Sequence, residues 1–446
     1  MAKLCLTRKI NCCIVIFLLV IGSYSHAQLN PPMGTSPWKF TNPLQHGYNM
    51  NDMSFINDNV GLAVGENGGL ARTTDGGRNW QSLPFKFVTP SNTIAVPTFN
   101  DVHFVTPTIA YAVGTQGLMI KSTDGGITWN TVSNPLYYTN KNINGLHFLN
   151  KDTGYIGGQA LLSSASSSSP DAAPKVYFTK NGGATWDSLV SPFRPAQNNT
   201  AVSGFNTTEI LRIHFVNDSV GYICGSANAN GNLSAILWKY EKGVLKDYSL
   251  HRTKFGITAA TGAAGNHPPS TQSYKALLGI NDSLVLLASL NNNIIMRVRT
   301  GKNDSTANAV PAIYGAYERG KYEVIVWLNS TATPFPSSLS TVAGQGFHLK
   351  KGPGNKIFAT QGNAVIFTTD NGDTWGYSKP TPTTVNYAHW GAQALDITPN
   401  GRIVVGMRNG LTWDSLPGSP WQSTYKNLRP LFFSFTDMDW ADCNNG

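Results

Sequence analysis

Short apolar runs separated by polar turns recur along most of the chain, a pattern that predicts strands joined by hairpins. Met53-Ser54-Phe55-Ile56 leads into Asn57-Asp58-Asn59-Val60-Gly61, and a second apolar run ends at Val64-Gly65. The same order returns from Leu146 to Gly157 and from Ile213 to Gly225, and its second half recurs at Val113-Gly114. Downstream lie four segments that align without gaps, each placing Ser or Thr, Asp or Asn, Gly and Trp at fixed spacing. They are marked by Thr73, Asp75, Gly77 and Trp80; by Ser122, Asp124, Gly126 and Trp129; by Thr179, Asn181, Gly183 and Trp186; and by Thr368, Asp370, Gly372 and Trp375.

One unit therefore reads strand, turn, strand, turn, strand, motif turn, strand. Four antiparallel strands in that order make a propeller blade. Asp-Gly or Asn-Gly favours a tight hairpin because glycine accepts positive φ cheaply. The Asp and Ser/Thr side chains can take backbone N–H bonds inside the turn, and the Trp offers a large apolar face. The motif residues thus have a complete structural role without any ligand.

The expected fold is all-β: a propeller of seven four-stranded blades near 51–95, 99–138, 143–195, 209–255, 275–330, 345–380 and 391–428. Inserts at 163–174 and 259–270 read as exposed loops. Met438 to Gly446 aligns with Met53 to Gly61, so an eighth blade is expected to begin there and the chain to stop within it.

On these residues the chain resembles the neuraminidase-type Asp-box repeat propellers and, more closely, repeat proteins related to the photosystem II stability/assembly factor. Val113 to Trp129 and Val216 to Gly225 carry the likeness. The resemblance implies the fold and leaves the activity open, since such propellers include assembly factors, glycoside hydrolases and lectin-like modules. A sialidase would bring an early Phe-Arg-Ile-Pro motif, whereas this chain has only Phe193-Arg194-Pro195, late and without the Ile.

Composition sharpens the setting. Charged residues make up 13% of the chain against 41% apolar, and 44 glycines fit a turn-dense fold. Lys3, Arg8 and Lys9 precede the apolar run Ile14 to Ile21, and Ser25-His26-Ala27 supplies a cleavage site. Residues 1–27 are therefore read as a signal peptide, residues 28–446 as one domain, and the protein as secreted with no further membrane insertion. Removal of residues 1–27 takes three basic residues and lowers the formal charge from +9 to +6, spread along the chain without a basic block, which speaks against nucleic acid. Cys224 and Cys443 survive cleavage. An oxidising compartment would permit a bridge between them, but Cys224 lies in an apolar strand, where an inert buried thiol is the expectation.

Candidate chemistry is sparse. Asp58, Asp101, Asp218, Asp282 and Asp396 fall in or near inner-strand turns and are the carboxylates from which a two-carboxylate glycoside hydrolase would draw. His103, His147 and His214 hold equivalent positions in successive blades. Sheets stacked ~10 Å apart would keep them from a common metal ion, so they are read as half-buried strand histidines between blades. Arg72 and Lys121 are equivalent and basic, a short rim on the first two blades. Tyr137, Tyr138 and Tyr274 are the aromatic candidates for ligand contact. No cofactor or metal is expected. The expected function is a monomeric binding or scaffold module for an unidentified protein or polysaccharide, with the glycoside hydrolase as the alternative.

Overall fold

The computed structural model describes residues 49–83, 85–88, 94–137, 139–161, 174–192, 205–229, 232–248, 274–289, 294–300, 322–327, 348–361, 364–378, 392–407, 412–415 and 422–423. The expected signal segment, both expected insert loops apart from Pro174, Phe193-Arg194-Pro195, Tyr138, Cys443 and the segment expected to open an eighth blade lie outside them.

The described strands form seven four-stranded antiparallel sheets and one two-stranded hairpin, Phe87–Val88 with Ile94–Ala95. The sheets open with Met50–Phe55, Phe99–Phe104, Ile143–Phe148, Phe205–Phe215, Tyr274–Asn281, Leu349–Lys351 and Ala392–Ile397. Each of these opening strands packs against that of the next sheet, and the seventh packs against the first. This arrangement, with sheets ranged round an axis and their first strands innermost, is an all-β propeller. Among the described residues no helix is long and apolar enough to cross a membrane.

The apolar core lies between the sheets rather than at the centre. Leu62, Val64 and Leu70 of the first sheet pack with Phe99, Val102 and Phe104 of the second. Tyr222, Cys224 and Leu237 of the fourth pack with Tyr274, Leu277 and Val285 of the fifth. Met50 and Met53 of the first pack with Ala394 and Val404 of the seventh. The second strand of a sheet, covered on both faces, is accordingly buried along its whole length at Gly61–Gly65, Ala110–Gly114 and Gly154–Gly158. That double cover explains why these strands read as unbroken apolar runs.

A β-bulge opens the inner strand in six sheets, between Met50 and Asp52, Phe99 and Asp101, Ile143 and Gly145, Ile210 and Arg212, Tyr274 and Ala276, and Ala392 and Ala394. A bulge re-aims the extra residue. In three sheets that residue is Asn, and it bonds the next inner strand: Asn51 to Phe99 O at 2.7 Å, Asn100 to Ile143 O at 2.9 Å and Asn144 to Ile210 O at 3.2 Å. The bulge also explains the recurrent Gly at the end of the second strand. A Cβ on Gly114 would lie 2.2 Å from Thr98 O, and one on Gly225 would lie 2.1 Å from Glu209 O.

The four motif turns lie between the third and fourth strands and share one hydrogen-bond pattern. Thr73, Ser122, Thr179 and Thr368 accept from the amides of Gly77, Gly126, Gly183 and Gly372 at 2.8–3.0 Å. Their hydroxyls donate to Asp75, Asp124, Asn181 and Asp370 at 2.7–2.9 Å. Those side chains in turn accept from the amides of Asn79, Thr128, Thr185 and Thr374 at 2.9 Å. An amide oxygen does the same work as a carboxylate, which is why Asn181 substitutes. Trp80, Trp129 and Trp375 donate from Nε1 to the glycine carbonyls of their own turns, whereas Trp186 donates to Ser133 O at 3.2 Å.

Arg72 and Lys121 do not form a basic rim. Arg72 Nε donates to Gly125 O at 2.8 Å and Lys121 Nζ to Gly182 O at 3.2 Å, each fastening its sheet to the motif turn of the next. Arg297 in the fifth sheet does the same to Asn371 O and also pairs with Asp373.

Candidate functional site: the axial cavity

The inner strands present alternate side chains to the axis, because successive Cβ atoms of a strand point to opposite faces. Register with the second strands puts Asp52, Asp101, Gly145, Arg212, Ala276, His348 and Ala394 in one tier. Two residues further on, Ser54, His103, His147, His214, Leu278, Lys350 and Asp396 form a second. Apart from Gly145 and Ala394, all of these line a cavity of about 330 Å³.

The two tiers are tied together by contacts that skip a sheet. Ala394 offers only a methyl group, so residues of the sixth sheet reach the first. His348 Nδ1 lies 3.4 Å from Asp52 Oδ1, and Lys350 Nζ lies 3.7 Å from both Asp52 Oδ1 and Asp396 Oδ1. Lys350 also donates to Met53 O at 3.2 Å. On its other side Asp52 shares a hydrogen bond with Asp101.

Two adjacent carboxyls cannot both ionise readily. Burial works against charge on Asp52, but Lys350 and His348 outweigh it and hold the carboxyl far below its usual range. Burial and the Asp52 charge push Asp101 well above its usual value. Asp52 is therefore the ionised partner and Asp101 the one that holds the proton. Burial also raises Asp396 despite Lys350. Lys350 keeps its charge, since Asp52, Asp396 and Asp101 together overcome the burial that opposes it.

The same side chains lock neighbouring sheets. Asp52 accepts the Val102 amide at 3.2 Å, Asp101 the Leu146 amide at 2.9 Å and Asp396 the Phe55 amide at 2.6 Å. In the second tier Ser54 Oγ accepts the Phe104 amide at 3.0 Å, His103 Nδ1 the Phe148 amide at 3.0 Å and His214 Nδ1 the Gly279 amide at 3.2 Å. One residue type after another fills the same acceptor position round the ring.

The histidines are half-buried, as expected, but they do converge. The His103 and His147 ring centroids are 5.0 Å apart, and those of His147 and His214 are 5.5 Å apart. The ~10 Å sheet spacing does not apply near the axis, where the sheets draw together like the blades of a fan. Burial and Lys350 push His103 and His214 down to about 4. Burial, then His103 and His214, push His147 well below the usual histidine range. Among the described residues no group of His, Cys, Asp and Glu is arranged to hold a metal ion.

Of the five aspartates singled out in the sequence, Asp101 and Asp396 line the cavity and Asp58, Asp218 and Asp282 do not. The turn bonds are made by the preceding residue: Asn57 Oδ1 accepts the amides of Asn59 and Val60, and Asn217 Oδ1 those of Ser219 and Val220. Asp58 instead accepts the Asn400 amide at 2.7 Å, another tie between the first and seventh sheets. Tyr274 is buried in the core and Tyr137 packs against the first interface, so neither is an exposed ligand platform. Sequence reading missed Asp52, Arg212, His348 and Lys350. The signal that could have found them is the equivalence of inner-strand positions, two residues apart, across all seven units.

The fold and this axial site define a β-propeller whose central cavity is lined largely by polar side chains. Its architecture is similar to that of YCF48 from Cyanidioschyzon merolae, with a TM-score of 0.52 and 17% identity over 84% of this chain and 98% of that one. It is also similar to an ancestral GH74 enzyme, with a TM-score of 0.54 and 14% identity over 89% of this chain, which spans 49% of the enzyme. A structure of YCF48 bound to a D1 peptide aligns with a TM-score of 0.49 and 16% identity over 83% of this chain and 92% of that one. At these identities the likeness is one of fold. No family model and no curated protein matches the sequence.

Proposed function

We propose that this chain is a secreted, non-catalytic binding propeller of seven blades stapled by Asp-box turns, taking a protein or glycan ligand. The observation that carries the reading is how the axial carboxyls are spent. Asp52, Asp101 and Asp396 each accept a backbone amide of the adjoining sheet, and Asp52 is further engaged by Lys350 and His348. A glycoside hydrolase sets its two carboxyls about 5–9.5 Å apart across the bond it cleaves. Asp52 and Asp101 act on each other as direct neighbours, and each is already taken up by a backbone amide.

One feature favours the hydrolase reading. Asp101 holds a proton beside the ionised Asp52, the division of labour an acid and a base require. A polysaccharide-hydrolysis screen with a glycan array, run on residues 28–446, decides between them. The binding reading expects capture without release of reducing sugar. Release that is lost in Asp101→Asn would replace it with the hydrolase.

A further inference from the structure

Arg212 makes no ion pair with a described carboxylate; its charge reaches Asp101 only at longer range, where it favours that carboxyl's ionised form. Lys350 sits between two carboxylates, but Arg212 donates only to backbone, from Nη1 to Asn144 O at 2.9 Å and Leu211 O at 2.8 Å. Among the described residues no carboxylate pairs with it, although it is half-buried and lines the cavity. A guanidinium carries five N–H donors in a planar fork suited to carboxylate or phosphate oxygens. Removing such a charge from water is costly unless an anion meets it.

The neighbouring histidines add donors. The Nδ1 atoms of His103 and His214 accept backbone amides, so in the neutral imidazole the proton must sit on Nε2. Each ring therefore offers an N–H at its far edge and has no lone pair left for a metal. Burial keeps both rings neutral at ordinary pH. Leu146, Ile213, Leu277 and Leu278 supply an apolar wall, and the exposed Lys351 lines the cavity with a further positive charge. About 330 Å³ is the lower end of small-molecule sites.

We propose that the axial cavity binds a small organic anion, its carboxylate or phosphate oxygens held by Arg212 with the Nε2–H groups of His214 and His103 as supporting donors. This deepens the binding-module reading and rests on it. The shared chemistry is an oxyanion on a short carbon skeleton; free phosphate is the competing source.

The test is titration of the full chain with succinate, citrate, inorganic phosphate and the neutral diamide succinamide at constant ionic strength. Thermal midpoint and imidazole ¹⁵N shifts are the readouts. Saturable stabilisation by succinate or citrate but not by succinamide, with His103 and His214 resonances moving, is the expected result. Arg212→Met should weaken it by about tenfold or more, and Arg72→Met, remote from the cavity, should not. If Arg212→Met fails to fold, the histidine resonances of the unaltered protein still decide. Silence with every anion, equal response to succinamide, or an Arg212→Met response equal to that of the unaltered protein overturns the site. Saturation by phosphate alone overturns the organic-anion assignment. Tight zinc binding would overturn the Nε2–H tautomers on which it stands. Failure here with a positive glycan or protein screen removes only this site, whereas sugar release in that screen removes the binding-module reading instead.

Discussion

The Phe55 amide donates to Asp396 Oδ2 at 2.6 Å, joining residues 341 positions apart in sequence. It is the seventh sheet's version of the bonds that Ser54 and His103 make to Phe104 and Phe148, and it spans the place where the first and last described sheets meet. Asp396→Ala would leave the Phe55 amide without its acceptor and Lys350 short of one carboxylate. A charged hydrogen bond of this kind contributes about 1.5–3 kcal/mol, and the partial exposure of both residues argues for the lower end. Urea unfolding should show that loss, with Asp396→Asn milder because an amide oxygen still accepts. An unchanged midpoint in Asp396→Ala would mean the bond contributes nothing to closure.

Two glycines with similar positive φ separate strain from crowding. Gly126 has φ +88° and Gly243 has φ +94°. A Cβ on Gly126 would come within 2.6 Å of the Leu62 side chain, while one on Gly243 would meet nothing within 4 Å. Both alanine variants carry the left-handed backbone penalty of about 1 kcal/mol or more. Gly126→Ala must also displace Leu62 from the interface between the first two sheets, at a further cost of about 1–3 kcal/mol. Chemical denaturation should rank Gly126→Ala well below Gly243→Ala. Equal losses would mean that the interface yields without cost.

What was legible in the sequence was whatever adjacent residues decide among themselves. The motif turns close on atoms at most four residues apart, as when Thr73 takes the Gly77 amide, so their spacing alone carries the reading. The Val-Gly ends of the second strands were visible, though their reason, the Thr98 carbonyl pressing on Gly114, was not. The axial site was illegible because it depends on ring closure. Asp52, Arg212 and Lys350 come from three sheets, and His348 reaches Asp52 only because Ala394 between them is small. The equivalence of the three histidines is legible in the sequence but their closeness is not, because flat stacked sheets would hold them apart whereas these sheets converge towards the axis.

Cys224 should be inert in the folded protein. Its thiol is fully buried, donates to Tyr274 O at 3.3 Å, and is pushed by burial up to about 12. The thiolate is the reactive form, so alkylation at neutral pH followed by peptide mapping should leave the Cys224 peptide unmodified until denaturant is added. Labelling at the rate of a free thiol would show that the fourth and fifth sheets part readily.

His147 should make stability sensitive to mild acid. It stands between His103 and His214, and burial together with those neighbours holds its imidazole well below the ordinary 6.5, with Lys350 acting in the same sense. In the unfolded chain it takes a proton near 6.5, so below that pH the unfolded state binds more protons and stability falls as pH drops. His103 and His214 behave alike between 6.5 and about 4. Asp101 and Asp396, raised by burial, work in the opposite sense, because the folded protein takes up their protons first. The unaltered protein therefore shows only the sum, and a difference measurement isolates the histidine. Thermal midpoints of His147→Gln should run parallel to those of the unaltered protein above pH 7 and gain on them steadily from pH 6.5 towards 4. A constant offset from pH 8 to 4 would remove His147 from the pH response and leave the axial imidazoles as packing alone.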